Sequence, residues 1–184
     1  MRPYMLGAGF CLFVAPALAG GFTVTTPAFL PGGTIPTTEV LNGLGCTGDD
    51  RSPALAWSGA PAGTQSYAVT MYDPDAPGGR GWWHWTVFNI PAGVHGLVAG
   101  AGAANSRGLP PGAGEGHTDF GFSHYGGPCP PAGDRPHRYA ITVYALKTRH
   151  LPLDARSSPS QVSVQLHDNV LATAQIIGRY GRPR

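Results

Sequence analysis

The sequence predicts a mainly β domain, and three observations carry that expectation. The 184 residues include 28 glycines and 19 prolines, a density of turn-formers that suits short strands joined by many bends and excludes a coiled coil or helical bundle. Only 12% of residues are charged while aromatic and β-branched residues are plentiful, so the chain has material for a core and is not a disordered one. Three segments alternate with the period of two that a strand requires: Ser66 to Tyr72, Trp83 to Ile90 and Arg138 to Leu146.

The first nineteen residues stand apart from the rest. Arg2 supplies a positive start, Met5 to Ala15 forms a short apolar run, and Ala17-Leu18-Ala19 is a small-x-small cleavage pattern. The run is too short for a transmembrane span. Residues 1–19 are thus expected to be a signal peptide cut after Ala19, with 20–184 a single exported domain, periplasmic or extracellular. Cleavage would remove Cys11 and leave Cys46 and Cys129. Two cysteines in an oxidising compartment most simply make one disulfide; both sit in Gly/Pro-rich loops, which favours a bridge over two buried thiols.

Along the domain, Phe22 and Val24 open an alternating strand within Gly20 to Gly33, and Thr34 to Asn42 is a further candidate strand. Residues 42–53 (NGLGCTGDDRSP) form a loop before a short strand at Ala54 to Ser58. In the central strands Tyr67, Val69 and Met71 share one face and Ala68, Thr70 and Tyr72 the other, while His84, Thr86, Phe88 and Ile90 are expected to share a face. Pro91 to Pro136 reads as one long loop, of a length that usually carries function. Ser158 and Pro159 read as a helix N-cap and first helical position. Val162, Leu166, Val170, Ala174 and Ile177 extend an apolar face along this C-terminal helix, with Gly178 ending it.

Chemistry concentrates in two places. YDPDAPGGRGWWHW (72–85) sets two carboxylates, Asp73 and Asp75, between prolines that force the chain out of the sheet, a short turn before His84. His137 and Tyr139, at i and i+2, face the same side of the third strand. If those strands are neighbours, Asp73, His84, His137 and Tyr139 meet at one pocket rim. Imidazole and phenol donors there suit a small anion, and Asp73 is expected to raise the pKa of a nearby histidine. Trp82, Trp83 and Trp85 supply apolar wall, though alternation lets only some of them face the pocket. Singly, each residue has a structural explanation: Tyr139 and Trp85 as core, His84 as a sheet histidine, Asp75 as the cap of its own turn.

The run DPDAP…WWHW, then DFG (119–121), YGGPCPP (125–131) and HRYAITVYAL (137–146), resembles the phosphatidylethanolamine-binding protein (PEBP) family. The branch it resembles is the bacterial Raf-kinase-inhibitor-like, YbhB/YbcL type, which NGLGCTGDDRSPALAW (42–57) and PAGTQSYAVT (61–70) also match. The resemblance covers nearly the whole mature chain. It implies a large antiparallel sheet packed on a smaller one, peripheral helices including the C-terminal one, and a pocket for anions. Carried over by motif position, the ligand-binding residues are Asp73, Asp75, Pro77, His84, Gly127, Pro130, His137 and Tyr139. The turn before His84 is shorter than in eukaryotic members, so kinase inhibition is not carried over, and Thr118 stands where many bacterial relatives have Asn.

The expected function is non-catalytic binding of phosphate, a phosphoryl head group or a carboxylate, with no metal and no cofactor. The alternatives are an inhibitor or interaction module for a periplasmic or secreted enzyme and a hydrolase using Asp73, His84 and His137. No GxSxG or HExxH run supports the latter. The resemblance leaves room for a homodimer and for a protein partner. A net charge of +2 on scattered basic residues gives no footprint for nucleic acid.

Overall fold

A computed structural model describes residues 21–184. The expected signal peptide and its cleavage site lie outside the described residues. Within them no helix is long and apolar enough to cross a membrane.

Among the described residues, ten strands and one α-helix follow in chain order: β1 (Thr23–Thr25), β2 (Asn42–Gly43), β3 (Cys46–Thr47), β4 (Leu55–Ser58), β5 (Ser66–Asp73), β6 (Trp82–Pro91), β7 (Gly96–Leu97), β8 (Gly114–Glu115), β9 (His137–Leu146), α1 (Pro159–Asn169) and β10 (Val170–Tyr180). A five-stranded antiparallel sheet runs β10-β9-β5-β6-β8, a smaller sheet runs β1-β4-β7, and β2-β3 is a separate hairpin. The expectation of a mainly β fold with a large sheet on a smaller one holds.

Alternation along β5 divides the large sheet into two chemical faces. Val69 and Met71 join Trp85, Val87, Ile141 and Val143 in the main core, against Val24, Leu55, Trp57 and Leu97 of the small sheet. Ala68 faces the other way, into a second cluster with Phe88, Leu146, Val162 and Leu166 beneath α1. Helix α1 starts as the sequence predicts. The Ser158 side chain accepts from the Gln161 amide, Gln161 returns the bond to the Ser158 N–H, and Pro159 occupies the first turn.

Four expectations about local structure are corrected. The C-terminal helix stops at Asn169, and residues expected in its second half form β10, paired with β9 from Val170 to Tyr180. A fourfold spacing is also a twofold spacing, so Val170 and Ala174 satisfy both periods; the buried Ile176, which lies off the helical stripe, marks the strand. Thr34 to Asn42 is not one strand: Thr34 bridges to Arg179, a single 3-10 turn follows at Thr37–Glu39, and Asn42 only opens β2. The 91–136 segment carries β7 and β8 and is not one uninterrupted loop.

The fourth correction matters for the site. His84, Thr86, Phe88 and Ile90 do not share a face, because two bulges break β6. Tyr67 pairs with Ile90 and Val69 with Val87, so Ala68 opposes two residues; Asn89 takes a φ of 58°, and Ile90 turns into the main core. Met71 pairs with Trp85 and Tyr72 with Trp83, which leaves His84 as an extra residue without a partner in β5. His84 and Trp85 are consecutive, yet both side chains pack on tyrosines of the main core, Tyr139 and Tyr125.

Candidate functional site

The second bulge delivers His84 to the face that already carries Asp73, His137 and Tyr139. These four, with Ala76, Pro77, Trp82, Phe120, Cys129, Pro130, Pro131, Leu44 and Arg182, enclose a cavity of about 290 Å³. The two halves of the site recognised in the sequence therefore meet, at the C-terminal end of β5 and the starts of β6 and β9.

Asp73 is buried at the end of β5, and both its carboxylate oxygens are occupied. Oδ1 accepts the backbone N–H of Asp75 at 2.8 Å, closing the proline-stiffened turn on itself, and Oδ2 accepts from His137 Nδ1 at 2.8 Å. The other nitrogen of His137, Nε2, lies 3.5 Å from Asp134 Oδ2. The negative charge of Asp73 is thus turned toward His137 and the turn.

His84 Nδ1 donates to the Gly126 carbonyl at 2.7 Å. A carbonyl only accepts, so the neutral ring carries its proton on Nδ1 and leaves the Nε2 lone pair free. Burial pushes the His84 pKa below its ordinary value; the bond to Gly126 and the Asp73 carboxylate oppose this without overcoming it. Asp73 does push the His84 pKa up, as expected, but desolvation is the larger effect and the net shift is downward.

Two donors on the wall lack partners. The Tyr139 hydroxyl and Trp82 Nε1 are buried and hydrogen-bonded to nothing in the protein. Burial, with the Asp73 charge second, drives the Tyr139 phenol far above its ordinary pKa, so it stays a neutral donor. Leaving a buried donor unpaired costs about 1–3 kcal/mol, a cost that a bound acceptor would remove. Phe120 holds the neighbouring rings, edge-on to both Trp82 and His84. Its loop is pinned by Asp119, which accepts the Trp83 amide at 2.8 Å, and by Thr118, whose hydroxyl donates to the Phe122 carbonyl.

Arg182 brings a cation to the cavity wall. Its Nε donates to the Pro130 carbonyl at 2.7 Å and Nη1 to the Gly45 carbonyl at 2.9 Å, tying the C-terminal tail to two loops at the mouth. The Cys46–Cys129 disulfide, with Cα atoms 6.0 Å apart, joins the same two loops, as the sequence favoured. Leu44, at the hairpin tip between them with a φ of 52°, is 74% exposed and overhangs the opening.

Residues 25–181 match the sequence family described as phosphatidylethanolamine-binding protein. Over 180 residues, 98% of each chain, the sequence is 46% identical to the UPF0098 protein YbcL of Escherichia coli, and over 81% of this chain and 93% of the relative it is 44% identical to YbhB of the same organism. The crystal structure of Escherichia coli YbcL, described as a new member of the mammalian PEBP family, superposes with a TM-score of 0.86 at 49% identity, covering 88% of this chain and 99% of that one.

The chain belongs to the phosphatidylethanolamine-binding protein family.

Of the eight residues carried over from the PEBP motifs, Asp73, Pro77, His84, Pro130, His137 and Tyr139 line the cavity, and Asp75 and Gly127 do not. Asp75 points outward and grips Arg138 through both carboxylate oxygens at 2.8 Å. Gly127 donates its N–H to Asp50 at 2.7 Å, and a Cβ there would land on the carbonyl oxygen of Glu39, so the position admits only glycine. Phe120, Leu44 and Arg182 were not anticipated from the sequence. DFG marked the loop that carries Phe120, whereas nothing local to Arg182 announces that β10 returns the chain terminus to the mouth.

Proposed function

We propose that this PEBP-family chain is an exported, non-catalytic binding protein whose cavity takes phosphate, a phosphoryl head group or a carboxylate, and through that ligand regulates a partner protein. The observation that carries the reading is the pair of unpartnered donors, the Tyr139 hydroxyl and Trp82 Nε1, on a wall that also carries the Arg182 guanidinium. Two neutral N–H and O–H donors beside one cation match a group with several acceptor oxygens and a negative charge. Asp73 does not oppose such a ligand strongly, because both its oxygens are already occupied. The small cavity fits a head group and excludes a large metabolite.

The non-catalytic part of the reading is supported by what the lining contains. It holds no serine or threonine, its cysteine is in the disulfide, and the one hydroxyl beside His84, that of Tyr139, is held in its neutral form by burial, so no activated nucleophile stands there. Among the described residues no three His, Cys, Asp or Glu side chains cluster as metal ligands would. Export is supported by the pattern of Arg2, the apolar run and Ala17 to Ala19.

Calorimetric titration of the purified protein with inorganic phosphate tests the ligand class. Saturable heat that is lost in Arg182→Gln, with the fold retained, supports the reading. No binding of phosphate, phosphoethanolamine or acetate at millimolar concentration would overturn it. Fractionation of the producing cell tests export, which predicts a shortened chain outside the cytoplasm.

A further inference from the structure

On the far side of the DPDAP turn from the cavity, three arginines gather over one carboxylate. Asp75 accepts from Arg138 Nε and Nη2 at 2.8 Å and from the Arg138 backbone at 2.9 Å, while Arg135 Nη2 approaches to 3.4 Å. The Asp75 side chain is only 6% exposed, whereas those of Arg135 and Arg138 are 82% and 46% exposed. Arg179, also exposed, lies directly opposite Arg138 in the β9–β10 ladder, and its side chain makes no hydrogen bond to any described residue. With Pro136 these residues line a shallow depression of about 310 Å³.

Folding does not account for this charge. Like charges directly opposed across an antiparallel pair destabilise it. Nor does Arg179 guard an open sheet edge: its N–H donates to Gly33 and its carbonyl accepts from Ile35, each at 2.8 Å, so the backbone there is already covered. The nearby carboxylate of Asp134 is turned toward His137, 3.5 Å away. One carboxylate therefore faces three guanidinium groups.

We infer that Arg135, Arg138 and Arg179 form a docking surface, separate from the cavity, for an acidic segment of a partner polypeptide. Guanidinium forks match carboxylates in a bidentate way that lysine does not, and Lys147, the sole lysine of the chain, lies outside the group. The exposure of Arg135 and Arg138 means that a single small anion would be strongly screened, so the occupant presents several charges together. A bilayer is a poorer fit, since none of the large exposed apolar side chains, Leu30, Leu44, Val98, Val164 and Leu171, lines the depression to insert into it.

The test is fluorescence anisotropy with a labelled peptide rich in Glu and Asp, alongside its Gln/Asn counterpart and vesicles containing anionic lipid. The protein is compared with an Arg135→Gln/Arg179→Gln variant, which leaves the Arg138–Asp75 grip in place. Binding of the acidic peptide alone, weakened about tenfold and made less salt-sensitive in the variant, supports the surface. Phosphate titration of the cavity should be unchanged in the same variant. Equal peptide affinity in the variant, a preference for vesicles over peptide, or parallel loss of phosphate binding would each overturn it.

Discussion

His137 donates to Asp73 at 2.8 Å across the ends of two neighbouring strands, with both side chains almost wholly buried. The bond joins the two sequence segments richest in chemistry, and it fixes where the charge of Asp73 points. Around it the cavity keeps its remaining donors, Tyr139 and Trp82, unpaired.

Tyr139→Phe removes a hydroxyl that has no partner in the protein. The free protein should then be as stable as before or more stable, by up to about 1 kcal/mol, while phosphate affinity falls about tenfold. Urea denaturation and calorimetry on the same sample check both halves. A large loss of stability would show that the hydroxyl is a structural group.

His84 has a folded-state pKa depressed by burial from its ordinary 6.5. Below pH 6.5 the unfolded chain takes up the proton first, so this group's contribution is full above 6.5 and is lost as pH falls toward the folded value. A bound anion favours the charged ring, so anion affinity should rise as pH falls. Phosphate titrations at several pH values should show affinity rising toward low pH more steeply than in His84→Gln, where only the titration of phosphate itself remains.

Glu115 shows the opposite slope. Burial raises its pKa from 4.5 to about 7, against the bond it accepts from Trp85 Nε1 at 2.6 Å. Between these values the folded state keeps a proton that the unfolded chain has released, so stability falls as pH rises through the window. Glu115→Gln keeps an acceptor for Trp85 and should flatten that fall, read from urea midpoints at pH 5 and pH 8, values on either side of about 6.

The Cys46–Cys129 bridge spans 83 residues of sequence and ties the hairpin tip to the 125–131 loop. Replacing both cysteines with serine should cost ~2–4 kcal/mol, measured by chemical denaturation, with reductant having no further effect on the variant. The β2–β3 hairpin has only two residues per strand, which leaves the Arg182–Gly45 bond and a small apolar cluster around Val40 and Leu41 to hold it, so anion affinity should fall as well.

The sequence made the centre of this fold legible because β5 and β9 keep strict alternation and prolines mark where β5 ends. It misled where one pattern serves two structures. Val170 and Ala174 fit a helix and a strand equally, and only pairing with β9 decides between them. Bulges are invisible to periodicity, so Ile90 lies on the face opposite to the one alternation predicts, and no pattern in β6 announces the route of His84 into the cavity. The family motif carries both Asp73 and Asp75 over as ligand-binding; the turn sends one inward to His137 and the other outward to Arg138. Arg182 reaches the mouth only through tertiary pairing, which no local pattern encodes.

The central claim, that the unpaired donors on the cavity wall receive an anion, is tested most directly at Trp82. Its indole N–H proton, assigned by its disappearance in Trp82→Phe, can be followed by NMR during a phosphate titration. The account predicts a saturable downfield shift of this resonance that weakens in Tyr139→Phe and Arg182→Gln. An indole resonance that stays in place while phosphate demonstrably binds elsewhere on the protein would contradict it.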